Sequence, residues 1–174
     1  MLKRIPWFER TFAFDFPVAH AGPILERLRG TPVRLAERVR DADPDDRTRS
    51  DGRGWSIQEN VGHLFDLESL WRGRFDDFAA GVERLRDADL TNRRTNEAGH
   101  NQRTMAELLG AFRDARLATV EFLESLPGDK FAQTAIHPRL GTPMRVVDLM
   151  FFVAEHDDYH MARIGELVAY FRRG

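Results

Sequence analysis

The stretch from Met144 to Phe171, MRVVDLMFFVAEHDDYHMARIGELVAYF, decides how the rest of the chain is read. It reads as one long helix, and within it His156 and His160 stand four residues apart. At about 100° per residue, their imidazoles lie roughly 40° apart on the helix surface, one turn above the other. Side chains so placed can both reach one ion, and imidazole is the commonest metal ligand that proteins use. They share a face with Phe152, Val153, Ile164 and Leu167, so the pair turns toward the interior. The plain alternative is two surface or core histidines that happen to fall at this spacing.

A third imidazole comes from a second helix. Ser56 and Glu59 form an S-x-x-E capping box, in which each side chain satisfies a backbone donor of the other at a helix start. The helix then runs from Ile57 to about Ala80, with Val61, Leu64, Leu67, Leu70, Trp71, Phe75 and Phe78 as its apolar face. His63 lies among them, where burial is costly unless the ring is hydrogen-bonded or coordinated. In a bundle, one ligand from one helix and a spaced pair from a facing helix converge in the core. Three neutral imidazoles on a divalent ion, with a fourth position open, is the catalytic rather than the structural arrangement.

Asp157, between the two histidines, is a candidate to orient a ligand or to serve as a general base beside the ion. A solvated carboxylate on the helix surface is its other reading. A metalloprotease H-E-x-x-H motif needs glutamate where Asp157 stands, which argues against a peptidase. His137, beside Pro138, reads as a loop histidine that packs or caps near a site mouth. Arg72/Arg74 and Arg93/Arg94 read as solvated charge paired with nearby carboxylates, contact with an anionic substrate being the alternative.

Elsewhere the chain supplies two more bundle helices. Phe12, Phe14 and Phe16 alternate, so residues 1–20 read as an extended aromatic arm lying across the core or against a second copy. Pro23–Arg29 reads as a short helix ended by Gly30, and Thr31-Pro32 as the start of another that stops near Asp43-Pro44. Asp41–Gly54 is a loop. Gly81–Arg103 is long for a connection and reads as a crossover from one end of the domain to the other, lining the mouth of a site. Thr104 and Glu107 form a second capping box, opening a helix to about Leu126. Phe131–Gly141 reads as a loop, and Thr142-Pro143 as the start of the last helix. No β-hairpin signal stands out. The expectation is a single all-α domain over residues 1–174, a four-helix bundle with a long crossover between its second and third helices.

Composition narrows the function. Basic and acidic residues number 26 and 28, so no overall positive field argues for nucleic acid. No cysteine is present, which removes disulfides, thiolate ligands and a cysteine nucleophile. No apolar run is long enough to span a bilayer and no secretory signal stands at the N-terminus, so a cytoplasmic protein is expected.

Trp55-Ser56-Ile57-Gln58-Glu59-Asn60-Val61-Gly62-His63-Leu64, with Glu68 and Arg74, resembles the second-helix signature of DinB-like/YfiT-like proteins. Ile136-His137-Pro138-Arg139-Leu140-Gly141 is similar to the segment before that family's last helix. Glu155–His160, followed by Arg163-Ile164, resembles its H-x-x-x-H helix. The likeness spans residues 20–170. It implies a four-helix bundle with a long crossover and a divalent metal ion, nickel or zinc, on His63, His156 and His160. It implies a homodimer, and a small-molecule substrate handled by transfer of a low-molecular-weight thiol, such as bacillithiol or mycothiol, or by hydrolysis. A non-catalytic metal-binding or stress-related bundle protein is the alternative, and histidines that hold no metal a further one.

Overall fold

The computed structural model describes residues 4–173. Helix α1 spans Ala21–Arg40, α2 Ile57–Ala79, α3 Arg93–Glu97, α4 Met105–Ser125 and α5 Val146–Phe171; strands β1 (Thr134–Ile136) and β2 (Pro143–Arg145) pair antiparallel between α4 and α5. Both expected capping boxes are formed, Ser56 with Glu59 and Thr104 with Glu107. Among the described residues, no helix is long and apolar enough to cross a membrane.

The four long helices make the bundle. α1 packs against α4 and α5, and α2 packs against the same two, so α1 and α2 sit on one diagonal and α4 and α5 on the other. Contacts fix the directions. Glu68 meets Arg116, and Arg72 lies over Phe122, so α2 and α4 run parallel. His63 faces His160 while Trp71 faces His156, so α2 and α5 are antiparallel. The parallel pair explains the long crossover. A 23-residue helix is about 34 Å long, and residues 80–104 return that whole distance. They end where Gln58 Nε2 donates to the carbonyls of His100 and Arg103. α3 and a 3₁₀ turn at His100–Gln102 give this connection structure.

Two helix starts differ from expectation. α1 runs unbroken through Gly30-Thr31-Pro32. Ile24, Leu28, Leu35 and Val39 form one buried stripe across it, and each such side chain stabilises by about 1.5–3 kcal/mol. That outweighs the roughly 3 kcal/mol cost of an interior proline. Thr31 Oγ1 donates to the Arg27 carbonyl at 3.1 Å and helps carry the helix across. At the other site, Pro143 belongs to β2, opposite Ile136, so α5 begins at Val146. There the Asp148 carboxylate accepts from the backbone N–H and guanidinium of Arg145. The short hairpin, invisible in the sequence pattern, holds the loop carrying His137 and Arg139.

The apolar core falls into two clusters. One gathers Trp71, Phe75, Phe78 and residues 146–154 of α5; the other gathers Ile57, Val61, Leu64, Phe112, Ile164 and Leu167. Between them runs a belt of buried polar side chains: His63, Glu68, Arg116, His156, Asp157 and His160. In the N-terminal arm, Phe12, Phe14 and Phe16 are half-buried while Thr11, Ala13 and Asp15 are exposed. The arm lies on the first cluster, with Trp7 edge-on to Phe152 and His156.

Candidate functional site

His63, His156 and His160 meet within the polar belt, each at most 6% exposed, with one nitrogen from each ring lying within 4.8 Å of the others. Their ring centroids are 4.6–5.3 Å apart. Ligand nitrogens about 2.0–2.1 Å from a tetrahedral ion sit roughly 3.4 Å from one another. The three rings are therefore grouped at close to ligation distance.

Hydrogen bonds behind the rings fix two of the three tautomers. Thr95 Oγ1 donates its proton to Asp66 Oδ2 at 2.9 Å, so toward His63 it accepts, and His63 Nδ1 at 3.0 Å carries the hydrogen. Asn60 Nδ2 donates to the carbonyls of Trp55 and Ser56, which turns Oδ1 toward His160 Nδ1 at 2.9 Å. Both residues thus keep an Nε2 lone pair facing the cluster. Metal-binding histidines characteristically tie down their second nitrogen this way. His156 differs: its Nδ1 is buried without a partner, and the edges of Trp7 and Trp71 pack on its ring.

Protonation suits a cation. Burial lowers the His63 pKa to about 4, against partial opposition from Asp66. Burial, then the neighbouring imidazoles, holds His156 and His160 well below the usual histidine range. All three rings are neutral at pH 7 and offer lone pairs, as ligation requires. Two preset tautomers, one orphaned nitrogen and no interposed carboxylate fit a divalent ion of borderline softness.

The cluster opens on a cavity of about 430 Å³. Leu67, Leu70, Trp71, Phe152, Trp7 and Phe8 give it apolar walls, and Arg74, His137 and Arg139 also line it. The crossover contributes Asp87–Leu90 and Asn92 to its rim.

Other expected site residues are placed differently. Asp157 is neither solvated nor in the cavity: it is fully buried, and both carboxylate oxygens accept from Arg116, which also donates to Glu68 at 2.6 Å. Its carboxylate is engaged by that ion pair and is not part of the three-histidine group. Glu59 is engaged in its capping box. Arg74, read as solvated, is 2% exposed, because α2 turns it onto the same face as His63. His137 is buried against Phe152.

The residues behind the rings were not foreseen. His100 is 2% exposed and its Nε2 donates to Asp66 at 2.8 Å. Its trace in the sequence is Gly62, mid-helix beside His63. A Cβ there would stand 2.3 Å from the His100 ring, so only glycine permits this approach.

Fold and site together define a class of helical-bundle proteins with a three-histidine centre in the core. The sequence profile of the DinB superfamily matches residues 27–164, and the chain belongs to that superfamily. Among solved structures it is similar to YfiT from Bacillus subtilis, described as a probable metal-dependent hydrolase with an unusual four-helix bundle topology. That likeness has a TM-score of 0.76 at 18% identity and covers 94% of each chain. A Streptococcus pneumoniae protein from structural genomics is similar with a TM-score of 0.60 at 11% identity, over 94% of this chain and 93% of that one. Comparison with curated proteins gives no match.

Proposed function

We propose that this chain is a metal-dependent enzyme that uses His63, His156 and His160 to hold one divalent ion, nickel or zinc, and acts on a small molecule by hydrolysis or by transfer to a low-molecular-weight thiol. The observation that carries this reading is the convergence of two tautomer-fixed imidazoles and one buried, unpartnered one at the head of an apolar cavity. When bound, the ion supplies Lewis acidity, which makes a nucleophile of water or thiol near neutral pH. The chain's own residues do the rest. Thr95 and Asn60 hold the Nδ1 protons of His63 and His160, and Asp66 with His100 anchors Thr95. Trp55 covers the His63 ring at 4.5 Å and excludes water from that side, while Trp7 and Trp71 flank His156. The likeness to a probable metal-dependent hydrolase supports the same reading.

Metal analysis of tag-free protein tests it, with about one nickel or zinc per chain expected and none expected in His63→Ala. Removing the ion should abolish turnover of small ester and thiol-acceptor substrates, and restoring it should recover turnover. Metal-free protein from every growth medium would overturn the proposal.

A further inference from the structure

We propose that the cavity's other end, at Arg74 and Arg139 around His137, is an oxyanion subsite, so that the substrate carries a carboxylate or phosphate joined by an apolar segment to its reacting group. This names a substrate class for the cavity, and it rests on the metal reading only for where the reaction takes place.

Position comes first. Arg74 follows His63 by eleven residues, which is three helical turns plus about 20°, so both share one face of α2 roughly 16 Å apart along the axis. The wall between them is apolar. It is marked by ring-to-ring steps from His156 to Trp71 (5.5 Å), Trp71 to Phe152 (6.2 Å) and Phe152 to His137 (5.1 Å). One end is therefore built to hold an ion, the middle to hold a hydrocarbon or aromatic body, and the far end is cationic.

The far end has donors in excess. Arg74 is buried, yet among the described residues it has no carboxylate partner. Its Nε donates to the Arg86 carbonyl at 3.1 Å and its Nη1 faces His137 Nε2 at 3.0 Å, while Nη2 makes no hydrogen bond among the described residues. The nearest acidic groups are taken: Asp77 binds Arg86, and Asp87 binds Arg84. Arg139 lies 5.4–5.9 Å from the rings of Trp7, Phe8 and Phe152 and, among the described residues, has no carboxylate partner and no acceptor for its buried Nη2. Trp71 Nε1, a donor only, is also buried without an acceptor. His137 meets donors on both sides, the Leu140 N–H reaching Nδ1 at 3.2 Å and Arg74 reaching Nε2. A neutral imidazole accepts at one nitrogen only, so the group of donors lacks an acceptor. Burial lowers the Arg74 pKa to about 10, against partial opposition from the Asp77 and Asp87 charges, and burial lowers that of Arg139. An oxyanion supplies both acceptors and charge, and guanidinium forks match its geometry.

Isothermal titration with benzoate and phenyl phosphate, and with benzyl alcohol as uncharged control, tests this directly. Wild type should bind at least one anionic probe saturably and ignore benzyl alcohol; the stronger anion tells carboxylate from phosphate. Arg139→Gln, at a half-buried position, should weaken binding about tenfold or more, the loss of one charge-assisted contact. Arg74→Gln should act in the same direction if folded, and thermal melting checks that it is. Metal-free His63→Ala should bind within about threefold of wild type. Wild type that carries no metal from any growth medium yet binds the anion would sink the metal reading and leave this one standing. No anion binding by wild type, unchanged binding in Arg139→Gln, or binding lost in His63→Ala but kept in Arg139→Gln would overturn the oxyanion subsite.

Discussion

Two groups of charged and polar side chains lie side by side in the bundle, and they differ in how completely they satisfy one another. Arg116, Glu68, Asp157 and Thr119 close on themselves: both carboxylates bond the guanidinium, and Thr119 donates to Glu68. They tie α2, α4 and α5 together and leave nothing to offer a ligand. The three histidines and the arginine end of the cavity leave atoms unmatched, namely His156 Nδ1, Trp71 Nε1 and Arg139 Nη2. Buried polar atoms cost free energy when unmatched, and a ligand in the cavity would match these three. The closed cluster braces the bundle, and the open one is the candidate site.

The contrast yields ordered predictions. The largest effect is at the open site: His63→Ala should lower metal affinity by more than about 100-fold, beyond the effect of losing an outer partner, while the metal-free protein melts near wild type. Chelator-competition titration and calorimetry read both. The closed cluster should respond the opposite way. Arg116→Met strands two buried carboxylates and should cost about 3–5 kcal/mol, a fall of roughly 6–20 °C in Tm, with metal binding intact wherever the protein is folded. Replacing all three charged members by Leu or Met should restore most of that loss.

Acid comes next. Burial, then the charges of Arg74, Arg139 and Arg84, lowers the His137 pKa to about 3. The unfolded chain takes up that proton near 6.5, so the folded state is favoured fully above pH 6.5 and loses ground as pH falls toward 3. By about pH 4.5 the loss should reach roughly 2–3 kcal/mol. Urea denaturation of His137→Gln should show a correspondingly flatter pH dependence than wild type. The smallest effect belongs to Gly62→Ala, whose methyl group displaces His100 from Asp66. Metal affinity should drop about tenfold, at the low end for outer partners.

What the sequence disclosed follows from range. Ser56 with Glu59, Thr104 with Glu107 and the His156/His160 pair are local patterns, legible from spacing alone. Pro32 and Pro143 misled because tertiary burial carried one helix through its proline and hairpin pairing claimed the other. Thr95, Asn60, His100 and Arg139 reach the site from a crossover, a helix start and a loop that show no periodicity. Asp157 was visible as a carboxylate but not as a partner of Arg116, 41 residues away. Arg74 could have been placed by its eleven-residue offset from His63, which repeats the helix face.

Anomalous diffraction at the metal edge, on crystals of tag-free protein, tests the central claim most directly. One peak about 2.0–2.2 Å from a ring nitrogen of His63, of His156 and of His160 is the result expected. A fully occupied ion bound elsewhere, or the same three rings turned apart with no peak between them in metal-supplemented crystals, would contradict it.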